Sequence, residues 1–197
     1  MVIAQVNPEL PWTSGDAAIE PTAIDVLVPA AVPPIELPAR PAGPIDRAIA
    51  DHVARLIPDR ATIELGLGAI PQAVTAALGG KQGLGVHSGA IGDGIADLME
   101  TGIVDNRHKE IDPAVTVATM LMGTSRLYRF ADRNPAILIR ATSYTHDGAG
   151  ARQFPPLHRD QWRARGRPHR SGQRRDRTGK TYRPCRRPNG FYPAFAG

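Results

Sequence analysis

Between Pro44 and Arg140 four short apolar runs alternate with four helix-like stretches, and glycines or prolines mark almost every junction. That alternation constrains the fold more than any other feature. Strands separated by helices pair in parallel, and the helices must cover the faces of the sheet. Ile45, Ile49, Val53, Leu56 and Ile57 recur at helical spacing, so a helix is expected from Pro44 until Pro58 and Asp59 stop it. Thr62–Leu67 reads as a strand and Gln72–Leu78 as a helix opened by Pro71. Leu84–Ser88 and Val115–Met122 read as further strands, Gly92–Glu100 and Ser125–Asp132 as helices, and Ile137–Arg140 as a last strand. Upstream, residues 2–6 and 24–28 read as two short strands. Six prolines at 29, 33, 34, 38, 41 and 44 then favour an extended linker.

Charge divides the chain. The formal charge is −6 over residues 1–147 and +11 over 148–197, so the pI of about 9.9 belongs to the tail. The single cysteine, Cys185, excludes an intrachain disulfide and a cysteine zinc cluster, and no metal is expected. No run of eighteen apolar residues exists and no signal peptide is apparent, so a cytoplasmic protein without membrane association is expected.

Two segments have the composition of a binding or catalytic site. Gly66-Leu67-Gly68-Ala69-Ile70-Pro71 follows a strand and opens a helix. Glycines there let backbone N–H groups approach an anion at a helix N-terminus, although a tight packing turn would look the same. His87-Ser88 lies at the end of a strand, where open α/β sheets place ligands, and Asp93 follows in Gly92-Asp93-Gly94. A lone histidine such as His87 is more often a hydrogen-bonded structural residue, and Asp93 is readable as a helix cap. No nucleophile elbow is present.

The strings IAQVNP, IELGLGAIPQAV, GVHSGAIGDGIADLMETGIV, LMGTSRLYRFADRNP and YTHD, spread over Met1–Asp147, resemble the acetyl-CoA hydrolase/4-hydroxybutyrate CoA-transferase family. The resemblance implies an incomplete doubly wound, mainly parallel sheet of class I CoA-transferase type. It implies that 1–28 end an upstream domain, 29–44 link the two, and 45–147 form a truncated second domain with exposed strand edges. It implies acyl-CoA and a small carboxylate as substrates, coenzyme A as a substrate bound near Gly66, Gly68, Ala69, Ile70 and Pro71, and a homo-oligomeric parent. Its chemistry is nucleophilic: a glutamate attacks the thioester to give an acyl-glutamyl anhydride and then a glutamyl-CoA thioester. That glutamate follows the His-Ser pair, at the position where this chain has Gly89. Neither Glu64 nor Glu100 matches a family pattern that would replace it. Covalent transfer is therefore expected to be absent from this chain. Binding of CoA without turnover, or a hydrolase-like chemistry, is the alternative.

The tail, 148–197, has no apolar periodicity. Codings exist for Arg167–Arg177, Cys185–Pro193 and Leu157–Trp162 that become family-like after the same one-base shift. The segment is therefore read as out of frame and disordered, since it has too little apolar surface to offset chain entropy of about 1–2 kcal/mol per residue. Its charge would bind polyanions without specificity for a nucleic acid sequence.

Overall fold

The computed structural model describes residues 1–146 together with 174–175 and 181–182. The first unit contains β1 (Ile3–Val6), β2 (Ser14–Gly15), a 3-10 turn at Pro21–Ala23, β3 (Val26–Pro29), α1 (Pro44–Leu56), β4 (Thr62–Ile63), α2 (Ala69–Ala77), β5 (Gly85–Ile91), α3 (Asp93–Glu100), β6 (Thr116–Leu121), α4 (Ser125–Ala131), β7 (Ile137–Ile139) and α5 (Thr142–Thr145). Five strands form one parallel sheet in the order β2-β7-β6-β5-β4. The fold is thus α/β with a parallel sheet, as the alternation requires. β1 and β3 pair in parallel as a separate ribbon, Ile3 opposite Val26, with β3 exposed along its length. A second unit, from Ala164, contains β8 (Arg174–Arg175) and β9 (Thr181–Tyr182), an antiparallel pair. The expectation of a disordered, out-of-frame tail otherwise lies outside the described residues. No helix among those described is long and apolar enough to cross a membrane.

Several element boundaries differ from the sequence reading for identifiable reasons. β4 stops at Ile63 because the Ser88 side chain replaces the ladder. Leu65 N–H donates to Ser88 Oγ at 3.3 Å, and Ser88 Oγ lies 2.9 Å from Leu65 O. β5 runs on through Gly89 to Ile91 because β6 extends beside it, with Ala90 opposite Met120 and Ile91 opposite Leu121. His87-Ser88 is therefore inside a strand and not at its end. α2 begins at Ala69, two residues before Pro71, which sits in the first turn where its missing N–H costs nothing. Ser14–Gly15, not foreseen as a strand, forms the edge beside β7, and Asp16 holds it there by accepting from Arg140 Nη1 at 2.7 Å.

α1 corrects the expected apolar stripe. Its buried residues are Ala50 and Ala54, with Ile57 just past its end, whereas Ile45 is 75% and Leu56 74% exposed. Small alanines let α1 lie close against α2, leaving the larger aliphatics outside. The core lies between these helices and one face of the sheet, around Ile63, Val74, Leu78, Val86, Ile95 and Ala118.

α2 and α3 meet at Gly94, where a Cβ would lie 2.3 Å from Thr75 Oγ1. That hydroxyl is itself held at 2.8 Å by Gln72 O. Gly94→Ala is expected to destabilise the fold by about 1–3 kcal/mol through overpacking, although alanine is the better helix former. Adding Thr75→Ala should recover most of that loss in denaturant titrations. An equally unstable double variant would show that the close contact is not the cause.

Candidate functional site

The carboxyl ends of β4 and β5 border a cleft of about 290 Å³. Its floor is the glycine turn: Leu65, Gly66, Leu67, Gly68 and, from α2, Pro71. Gly68 has φ +128°, ψ −178°, a conformation essentially reserved for glycine. Gly66 makes no such demand, but nothing lies within 4 Å of where its Cβ would be, so the backbone there is open to a ligand. Of the five residues expected to bind, Gly66, Gly68 and Pro71 line the cleft. Ala69 does not, and Ile70 packs on the core instead.

The opposite wall comes from the proline-rich segment expected to be a linker. Leu37, Pro38, Ala39 and Arg40 line the cleft. The strap is stapled to the β6–α4 loop and α4: Leu37 N–H donates to Gly123 O at 2.8 Å, Ser125 N–H to Glu36 Oε1 at 3.0 Å, and Tyr128 Oη to Ile35 O at 2.9 Å. Proline content correctly signals an extended chain here. It carries no information about what that chain leans on. Asp93 also lines the cleft. Its carboxylate does not cap α3, whose N-cap is Gly92. It accepts from Thr124 N at 3.0 Å and Thr124 Oγ1 at 2.8 Å, fixing α3 to the start of α4.

The other face of β5 is polar. Side chains alternate along a strand, so Val86, Ser88 and Ala90 face the core and cleft, while Gly85, His87 and Gly89 point away. Ser88, engaged with Leu65 and Ala90, is a structural tie. His87 is buried, with its ring 5.8 Å from that of Tyr144. Burial, then the nearby Lys109 charge, holds its pKa down to about 4, so the imidazole is neutral at pH 7. Lys109 Nζ donates to Val86 O at 3.0 Å and Val115 O at 2.7 Å. Burial lowers this amine to about 8. Tyr144 Oη meets Asp112 Oδ2 at 2.6 Å.

Gly89 sits under the His146 ring. A Cβ there would lie 2.6 Å from Cε1 and 2.8 Å from Nε2. His146 Nδ1 is 2.8 Å from Thr145 Oγ1, itself 2.6 Å from Thr119 Oγ1. Glu64 belongs to the same neighbourhood: burial raises its pKa and the His146 charge opposes that rise. Sequence reasoning assigned no role to Lys109 or His146. Only the string containing Tyr144 and His146 was noted, and nothing in it predicts that α5 folds back on β5. Among the described residues no group of three or more His, Cys, Asp or Glu could hold a metal.

Over 147 residues the chain is 41% identical to the 4-hydroxybutyrate coenzyme A transferase of Clostridium kluyveri, covering 75% of this chain and 34% of that protein. It is 37% identical over 145 residues to the succinyl-CoA:cyclohexane-1-carboxylate CoA transferase of Geobacter metallireducens, covering 74% and 33%. The solved structure of RipA from Yersinia pestis superposes with a TM-score of 0.71 at 35% identity, over 75% of this chain and 35% of that one. The 4-hydroxybutyrate CoA-transferase of Porphyromonas gingivalis gives 0.69 at 30%, over 73% and 37%. No family model matches the chain. In parallel-sheet fold and in sequence the chain is similar to these CoA-transferases. It spans about a third of the length of the curated relatives it matches.

Proposed function

We propose that this chain binds coenzyme A thioesters in the cleft between the glycine turn and the Leu37–Arg40 strap. We further propose that the whole protein to which such a segment belongs moves CoA between an acyl-CoA and a small carboxylate of the acetate or 4-hydroxybutyrate type. The observation that carries the reading is the open backbone at Gly66 beside the glycine-only conformation of Gly68, at the start of α2 and on the floor of a mostly apolar cleft. Apolar walls suit the uncharged arm of CoA, and the start of a helix suits its anionic end. The division at 28 and 44 belongs to the same proposal: β1 and β3 form their own ribbon, although Ser14–Gly15 joins the main sheet. So do a homo-oligomeric parent and a cytoplasmic setting.

Gly89 separates binding from covalent chemistry. By resemblance the nucleophilic carboxylate belongs at this position, and glycine has none. The chain is therefore expected to bind CoA without forming an acyl-glutamyl anhydride. Calorimetric titration with CoA should give saturable one-site binding, and Gly68→Ala, which strains the turn, should weaken it at least tenfold. No heat of CoA binding by the folded chain would sink the reading. Polyanion binding through 148–197 concerns residues that lie, apart from 174–175 and 181–182, outside those described, and no observation favours it over the cleft.

A further inference from the structure

We propose that His146 is the general base of a hydrolytic reaction, in which water takes the acyl group from a CoA thioester. This rests on the reading that the thioester occupies the cleft.

The cleft and His146 lie on opposite sides of a thin rim. Leu65, Gly66 and Ala90 line the cleft. Gly89, the neighbour of Ala90, faces the His146 side, so one residue of β5 separates the two. The rim lies in the carboxyl half of β5, near the edge where a parallel sheet presents its ligands. In this reaction a thioester at the end of an arm lying in the cleft crosses this edge to meet the imidazole.

The ring occupies the volume that a side chain at position 89 would need, within 2.6–2.8 Å of its Cβ position. An imidazole stands where a carboxylate would otherwise project. Its orientation is set from behind. With its proton on Nδ1 donated to Thr145 Oγ1, and the Thr145 proton donated to Thr119 Oγ1, Nε2 keeps its lone pair. The His146 charge opposes the rise that burial causes in the Glu64 carboxyl, so the Glu64 carboxylate in turn stabilises the imidazolium that forms when Nε2 takes a proton. The Glu64 carboxylate acts through His146 and is a positioning residue.

The reaction balances without a further reactant. Water oxygen bonds to the thioester carbonyl carbon as its proton passes to Nε2. The tetrahedral adduct collapses, the carbon–sulfur bond breaks, and the proton moves from Nε2 to the departing sulfur. Free acid and CoA thiol leave, and the protein carries no acyl intermediate.

The test uses the full chain with acetyl-CoA, reading thiol release with a chromogenic disulfide and CoA binding by calorimetry. Slow release is expected, with one oxygen from labelled water in every acetate. His146→Gln and His146→Ala should each lower kcat at least 100-fold, within the usual range for a general base, with KM and CoA affinity within twofold. Gly89→Ala, whose Cβ displaces the ring, should lower kcat without changing CoA binding. Three results would overturn the inference: a chain that binds CoA but releases no thiol, His146 variants as active as the parent, or loss of activity that tracks loss of binding. Failure to bind CoA at all would remove the cleft reading first and the inference with it.

Discussion

Acidification from pH 6.5 to pH 4 is expected to reduce the unfolding free energy by up to about 3 kcal/mol through His87 alone. The imidazole titrates near 6.5 in an unfolded chain and near 4 in the folded one. Between those values the unfolded state binds the extra proton and the folded state does not, so stability falls as the pH is lowered and is fully present above 6.5. The cause is first the burial of the ring against Tyr144 and then the positive charge of Lys109. Glu64 works in the opposite direction. Its carboxyl is raised by burial, so the folded state gains its proton first and acid stabilises the fold through it. Asp16 is lowered by Arg140 and loses its contribution only below the ordinary carboxylate range. Guanidinium titrations at closely spaced pH values, on the parent and on His87→Gln, separate these groups. The parent should show the steep acid limb and the variant should not. Equal acid slopes in both would refute the assignment to His87.

The parallel sheet was legible because its signals are local. Glycines and prolines at 43, 58, 68, 79, 92, 102, 123 and 135 punctuate the apolar runs, and α1 to α4 each start and stop within one to four residues of one of them. What escaped is non-local. Nothing near Leu65 announces that the Ser88 side chain, 23 residues away, ends its strand. A six-proline stretch signals an extended backbone but not the α4 and Gly123 contacts that make it the wall of a cleft. The stripe on α1 was misread because burial there follows Ala50 and Ala54, which a search for large aliphatics passes over. For the candidate site, the glycine turn was visible because Gly68 must be glycine. His146 was not, because its meaning comes from the empty Cβ position of Gly89 on another strand.

Lys109 carries the largest single side-chain effect expected on stability. Its ammonium sits against the Val86 and Val115 carbonyls, on the loop that leads into β6, and its stem passes 2.4 Å from where a Cβ of Gly85 would be. The same loop is fixed by Asn106, buried with positive φ, which accepts from Val86 N and donates to Thr116 Oγ1. Lys109→Ala removes both donors and the stem together, leaving two carbonyls short of a partner and a void beside β5. The loss should be about 3–5 kcal/mol at pH 7. The charge itself is a liability, since burial depresses the amine from 10.5 to about 8. Between pH 8 and 10.5 the unfolded chain holds the proton that the folded chain has released, so stability of the parent should rise by about 3 kcal/mol across that window. Lys109→Met keeps the stem but neither the charge nor the donors. It should start less stable than the parent at pH 8 and show no rise from there to 10.5. A Met variant that still gains stability over this interval would mean that another group titrates there, and that the Lys109 ammonium is not confined as its two carbonyl contacts require.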